Sequence, residues 1–252
     1  MRATVLFKPS VSYRRDAFEA GLRDIGYDLL PTPLSSPSKD DLLVLWNRSH
    51  YEEGIARRYE GVGAAVIVAE NGYIGSDENG HKLFAMSKHY HNGAGKWNVG
   101  ASARWKGTIA PWRESGDFIL VLPQRGIGCS GVAMPRGWEV GATRRLALMT
   151  KRPIRVRRHP GASKEDPYLA LVGAWAAVTW GSGAGIKALA YGVPVFHDFS
   201  MWIGAMAASR LEAADIEDPM MGDRQPMFER LAWAQWSLAE IQSGEAFRCL
   251  LT

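Results

Sequence analysis

The chain has 252 residues, 46% of them hydrophobic, which is enough to bury a substantial core in one large or two small domains and excludes a disordered chain. Its first apolar run is too short for the core of a secretion signal and no stretch approaches the ~18 apolar residues of a membrane span, so a cytoplasmic protein without membrane contact is expected. A net charge of +4 with a pI near 9.1 is too mild to identify a polyanion partner, and the two cysteines, Cys129 and Cys249, lack metal-ligand spacing and read as reduced thiols.

In chain order, residues 3–7 (ATVLF) predict a strand, and Phe18, Leu22 and Ile25 at helical spacing predict a helix over 13–25. The runs at 41–46 (DLLVLW) and 64–69 (AAVIVA) read as strands buried on both faces, as in a parallel sheet. From 72 to 112 the composition turns to Gly, His, Trp and Asn without either periodicity. A loop of that length in a compact domain is functional or conceals an unread element. At 118–122 (FILVL) the alternation resumes with the turn QRGIG, a helix over 138–149, a strand at 154–157 and the turn RHPGA. A helix over 168–175, a strand at 176–179, the turn WGSGAG, a helix over 186–191 and a strand at 193–196 follow; Pro194 requires that last strand to lie near an edge or start late. Strands spaced by helices indicate a parallel sheet with right-handed crossovers. Residues 227–241 predict one amphipathic terminal helix, stopped by Ser243-Gly244.

Three turns of the second half carry chemistry. In Thr179-Trp180-Gly181-Ser182-Gly183-Ala184-Gly185, the amides of residues 182–185 at a helix N-terminus would face a phosphate, although the spacing matches neither the Walker pattern nor GxGxxG. Gln124-Arg125-Gly126 and Arg158-His159-Pro160 would open on the same sheet rim, where Arg125 and Arg158 could clamp a diphosphate and His159 could bond a phosphate or sugar oxygen. Plain chain reversal is the lesser alternative for these turns. Arg144, Arg145, Lys151, Arg152, Arg155, Arg157 and Arg158 concentrate in one basic stretch that attracts polyanions or is simply solvated. The ten tryptophans suit stacking on sugars or bases as well as core packing.

With VLPQRG, VRRHPG and the serine-glycine turn leading to ALAYGVPV, residues 118–196 resemble the donor-binding lobe of GT-B glycosyltransferases, in particular capsule-polysaccharide and sialic-acid-type enzymes. The resemblance implies an α/β fold of two Rossmann-like lobes with a cleft between them and a C-terminal helix crossing back. Residues 1–115 would form the acceptor-side lobe, 116–225 the nucleotide-sugar lobe, and 226–252 a helix packing back on the first. It implies no obligatory cofactor, a nucleotide sugar as co-substrate, and donor contacts from Gln124, Arg125, Gly126, Arg158, His159, Gly181, Ser182, Gly183 and Lys187. At Lys187 many GT-B enzymes carry a ribose-binding glutamate, so the donor's identity is open here. HNGAGKW, RWKG and PWR are similar to proteins of bacteriophage genomes, where GT-B enzymes glycosylate modified bases. This similarity suggests a hydroxymethylated base of double-stranded DNA as acceptor, a host-cytoplasmic location, and acceptor contacts from His91, Asn92, Trp97, Arg104 and Trp105.

Transfer to a hydroxyl needs a general base. Glu70, at the end of AAVIVA, is the first candidate and Asp77 the second, with His81, His89 and His91 behind them. The alternating His89 and His91 with Asp77 or His81 offer a metal site as a rival, but the pattern fixes no third ligand and no metal is expected. A sugar-nucleotide epimerase, or a nucleic-acid-binding protein without catalysis, are the other readings of the same features.

Overall fold

Runs of branched apolar residues become strands wherever both faces of a sheet are covered. In the computed structural model, which describes residues 1–159, 166–212 and 215–252, they build two sheets. The elements of the first half are β1 (Arg2–Leu6), α1 (Arg15–Asp24), β2 (Asp28–Leu30), β3 (Leu42–Trp46), α2 (His50–Glu60), β4 (Ala65–Ser76) and β5 (Lys82–Lys88). Then come β6 (Phe118–Leu122), α3 (Trp138–Met149), β7 (Ile154–Val156), α4 (Tyr168–Leu171), β8 (Ala174–Thr179), α5 (Gly183–Ala190), β9 (Val195–His197) and β10 (Ser209–Arg210). The chain ends with α6 (Gln225–Ala232), β11 (Gln235–Trp236), α7 (Leu238–Gln242) and α8 (Glu245–Leu251). Two compact units result: Met1–Arg104 with Gly128–Ser130 and Arg230–Thr252, and Trp105–Ile127 with Gly131–Glu229.

The first unit holds a six-stranded sheet ordered β11-β5-β4-β3-β1-β2, parallel from β2 to β4 and antiparallel at β5 and β11. Leu43, Leu45, Ala56, Tyr59, Val66 and Val68 form one core layer. An edge-to-face chain of aromatic rings forms another: Phe18 lies 4.9 Å from Phe7, 6.0 Å from Phe84 and 6.1 Å from Phe247. Gly21 of α1 is pressed against α7 so closely that a β-carbon there would stand 1.9 Å from the Ile241 carbonyl oxygen.

The second unit holds an all-parallel sheet ordered β10-β9-β8-β6-β7. Its core gathers Ile119, Val121, Ala142, Leu146, Val178 and Phe196 between sheet and helices. β6 and α3 fall where the sequence places them. α4 is shorter than the expected 168–175, because Gly173 at φ 78° ends the turn and β8 begins at Ala174. β9 starts late, after Pro194, and lies one strand in from the edge.

Three features of the first unit depart from the sequence reading. α2 was not expected, yet Ser49 and Glu52 form a reciprocal capping box at its start. Part of the expected loop over 72–112 is the hairpin of β4 and β5, whose turn Asp77 closes by accepting from the amides of Asn79 (2.9 Å) and His81 (2.8 Å). The single helix expected over 227–241 is interrupted because Gln235 and Trp236 pair with Ala85 and Phe84 as a sheet edge, after which Ser237 and Glu240 cap a new helix. Helical spacing persisted in the sequence across a segment that tertiary pairing turns into strand.

α2 is anchored by a buried cation. Arg48, with none of its side chain exposed, donates to Glu53 (2.7 Å), to both oxygens of Glu60 (2.6 and 2.9 Å) and to the His89 carbonyl (2.7 Å), 4.2 Å over the Tyr90 ring. Burial opposes the guanidinium's charge, but the two carboxylates outweigh it and raise its pKa. Arg48→Ala strands two partly buried carboxylates and is expected to lower stability by about 3–5 kcal/mol in urea titration. A loss below about 1 kcal/mol would show that the network is not structural.

Candidate functional site

In the second sheet the chain moves one way from β6 to β7 and the other way from β6 to β8 and beyond. Loops leaving the C-terminal ends of the two strands at such a reversal diverge and leave a crevice, the usual ligand position in parallel α/β sheets. The loops at this switch point are those that follow β6 and β8, and Gln124 Nε2 ties them together by donating to the Gly181 carbonyl at 3.2 Å. Gln124 Oε1 is buried and, among the described residues, has no hydrogen-bond partner, so a ligand hydroxyl or amine would satisfy it. Gln124, Arg125, Gly126, Arg136 and Arg158 line a cavity of about 490 Å³ together with the start of α3. Burial lowers the pKa of His159, and the charges of Arg125 and Arg157 lower it further, which puts Arg125 and His159 in one electrostatic neighbourhood. The rest of that turn, from Pro160, lies outside the described residues.

The N-terminus of α3 is the strongest anion feature here and went unread in the sequence. Its N-cap is Gly137 at φ 77°, which offers no capping side chain, and Gly137, Glu139 and Val140 all line the cavity. Three arginines stand there against one carboxylate, Glu139, which Arg158 meets at 3.0 Å. Arg158 is 81% exposed, so that pair is solvent-screened and open to exchange for a phosphate. The Arg136-Gly137 pair directly before an apolar helix was the available signal.

α5 is less open than expected. Ser182 accepts from the Ala184 amide (3.1 Å) while its own amide donates to Thr179 Oγ1 (2.9 Å), and the Gly185 amide returns to the Ser182 carbonyl (3.0 Å). Three of the four amides at 182–185 thus have internal partners, and the helix supplies no acceptor for that of Gly183. Lys187 is engaged by Asp166 at 2.5 Å. A second cavity, of about 610 Å³, lies at the opposite end of the same strands, where Arg113, Asp117, Arg152 and Glu217 line it. Its arginines are spent internally: Arg152 on Glu217 (2.8 Å), Arg113 on the Leu171 and Ala174 carbonyls (2.6 and 2.8 Å). Within the basic stretch Arg145 pairs with Asp198 and Arg155 lies over the Phe118 ring at 3.8 Å.

In the first unit, β3 and β4 run parallel as far as the pair Trp46 and Ala69, and Glu70 is the next residue, at the rim. Glu70 is half-buried; its Oε1 accepts from Tyr73 Oη and from the Asn92 amide at 2.9 Å. Asp77 is a turn former, with His81 beside it at 3.4 Å. His89 bonds Glu60 at 2.9 Å, and His91 and Asn92 are buried. Among the described residues no group of three or more His, Cys, Asp or Glu could hold a metal ion. Trp97 and Arg104 pack inward, Trp97 donating to the Arg230 carbonyl (3.0 Å) and Arg104 lying over Trp236 (4.2 Å) and meeting Glu240 (2.5 Å). Trp105, which belongs to the second unit, stacks on Phe228 at 4.7 Å. The rim of the first sheet between β1 and β3 carries instead a pair of partly exposed rings, Tyr13 and Trp46, 4.5 Å apart.

Two α/β units, one all-parallel and one parallel with an antiparallel edge, define a Rossmann-like architecture. The chain is similar in fold to KpsC of Thermosulfurimonas dismutans. The match to its beta Kdo 2,7 transferase has a TM-score of 0.56 at 13% identity and covers 98% of each chain. The match to its beta Kdo 2,4 transferase has the same score and identity, covering 92% of this chain and 89% of that one. No family model and no curated protein matches the sequence. No helix among the described residues is long and apolar enough to cross a membrane.

Proposed function

We propose that the protein is a GT-B-type glycosyltransferase that moves a sugar from a nucleotide-sugar donor to a hydroxyl acceptor. The cavity beside β6 carries the reading, since it joins arginines of the loops after β6 and β7 to a helix N-terminus without a capping side chain. There Arg125, Arg136, Arg158 and the amides of Glu139 and Val140 hold the donor's phosphate, and His159 bonds an oxygen of it. The acceptor oxygen takes the anomeric carbon, the bond from that carbon to the phosphate oxygen breaks, and the hydroxyl proton passes to Glu70. Charge growing on the departing phosphate is stabilised by the same preset donors. Tyr13 and Trp46 offer the acceptor a stacking surface. A saccharide suits it better than a hydroxymethylated base in DNA, because Arg145 and Arg152, two of the cations that would meet a phosphate backbone, are held by Asp198 and Glu217.

The test is a thermal-shift panel of the nucleoside mono- and diphosphates and their sugars. A ligand at a hundred times its dissociation constant adds about 2.7 kcal/mol, so at least one nucleotide is expected to raise the melting temperature by several degrees. No shift from any of them sinks the reading, and turnover of a nucleotide sugar without acceptor would favour an epimerase instead.

The pH dependence has a definite sign. Arginine neighbours and burial hold the His159 pKa down, and a bound phosphate reverses the local charge and raises it. Nucleotide affinity is therefore expected to rise as pH falls through the imidazole's range, beyond what the phosphate's own titration gives. Calorimetry at pH 8 and pH 6 on the protein and on His159→Gln checks this, and an identical pH dependence in both contradicts it.

A further inference from the structure

Glu70 extends from a strand that is built irregularly just beyond it: the register between β4 and β5 shifts between Asn71 and Ser76. Bulges of this kind re-aim side chains and recur beside active sites. Here the shift is secured from the far side of the sheet. Gln235 of β11, 2% exposed, accepts with Oε1 from the amides of Tyr73 (2.6 Å) and Ile74 (3.1 Å) and donates with Nε2 to the Ile74 carbonyl (3.0 Å). Gly72 permits the approach, since a β-carbon there would lie 2.7 Å from the Leu83 carbonyl oxygen and 3.1 Å from Gln235 Oε1. The outcome is that Tyr73 turns its hydroxyl back onto Glu70, three residues earlier, and donates to Oε1. A second donor reaches the same oxygen, the amide of Asn92, which is held in the left-handed region at φ 55°. Among the described residues Glu70 Oε2 has no partner.

We infer that Tyr73 is a positioning residue that, with the Asn92 amide, pins Oε1 of Glu70 so that Oε2 alone is presented as the base for the acceptor hydroxyl. The inference rests on the reading of Glu70 as the acceptor-side base. A glutamate has three rotatable bonds, and a base must stand within hydrogen-bond reach of the proton it takes, so fixing one oxygen sets the direction of the other. Burial, and then the charge of Glu70, push the Tyr73 phenol well above its usual range, which keeps it a donor across the working pH.

The experiment is a double-mutant cycle on the full chain with Tyr73→Phe, Glu70→Asp and both, measuring kcat and KM for the donor sugar together with melting temperature. Tyr73→Phe removes a hydrogen bond to a charged acceptor and is expected to lower kcat roughly ten- to a hundredfold, with donor KM unchanged. In the Glu70→Asp background, where the shortened carboxylate no longer meets the phenol, the same change is expected to cost less than threefold. Equal losses in both backgrounds mark a merely structural tyrosine and overturn the inference. A readout independent of turnover is the exchange of the Tyr73 hydroxyl proton in the ¹H NMR spectrum. It is expected to be slow in the wild type and fast in Glu70→Ala, which removes the acceptor, and fast exchange in both overturns the inference even if Tyr73→Phe folds poorly. If Glu70→Gln transfers sugar at the wild-type rate, the base assignment fails first; if it is dead while Tyr73→Phe is unimpaired, only the positioning role fails.

Discussion

Arg125→Ala is expected to raise the dissociation constant for the preferred nucleotide about ten- to a hundredfold while leaving the melting temperature of the free protein within a degree or two. The two halves of that result have separate causes. Arg125 is exposed and makes no ion pair among the described residues, so its removal disturbs no internal network. In the complex it would donate to a phosphate with one face of the cavity around it, and hydrogen bonds to charged groups contribute about 1.5–3 kcal/mol. Arg158→Ala should weaken binding less, because Arg158 must give up its pair with Glu139 to meet a phosphate and so contributes less net, and the double variant should lose more than either alone. Calorimetric titration with the nucleotide is the measurement. Unchanged affinity in Arg125→Ala and Arg158→Ala alike would remove the cavity beside β6 from the mechanism.

Glu70→Gln is expected to leave nucleotide affinity as it is and to reduce kcat by about 10²–10⁴-fold, the range that positioned proton transfer supplies. The isosteric amide still accepts from Tyr73 and Asn92, so the local structure should persist and the loss should lie in chemistry. Asp77→Asn makes the contrast. Its carboxylate already closes the β4–β5 turn, and backbone donors from His81 and Asn79 hold it below the usual carboxylate range. Loss of stability with little loss of rate is expected there. A kcat effect at Asp77 equal to that at Glu70 would exchange the two roles.

Much of the second unit could be read from its residues because its strands are short apolar runs, its helices are bounded by glycine, and its neighbours in space are mostly neighbours in sequence. The shared rim of the turns after β6, β7 and β8 was legible for the same reason: in a parallel sheet the C-terminal ends lie on one side, whatever the strand order. The order itself was not legible, and it is the order that makes the loops after β6 and β8 diverge. In the first unit, Ser49-His50-Tyr51-Glu52 announced a helix that the search for apolar spacing passed over. The partners of Glu70 were beyond reach, since Asn92 is 22 residues away and Tyr73 meets it only through the irregularity that Gln235 secures from 161 residues further on. Trp97, Arg104 and Trp105 show the reverse error: aromatic and basic residues in a glycine-rich stretch suggest a binding loop, while here they pack against the chain's final segments.

The first sheet takes its edge strand, and α1 its packing partner, from residues 235–251, which follow the whole second unit in the chain. During synthesis β5 therefore lacks its outer neighbour, and Phe18 lacks Phe247, until the second unit has been made. The strands of the second unit can pair as they emerge, whereas the first sheet is completed only afterwards. Removing residues 235–252 should yield a polypeptide in which the unit bearing Glu70 is aggregation-prone while the second unit resists proteolysis.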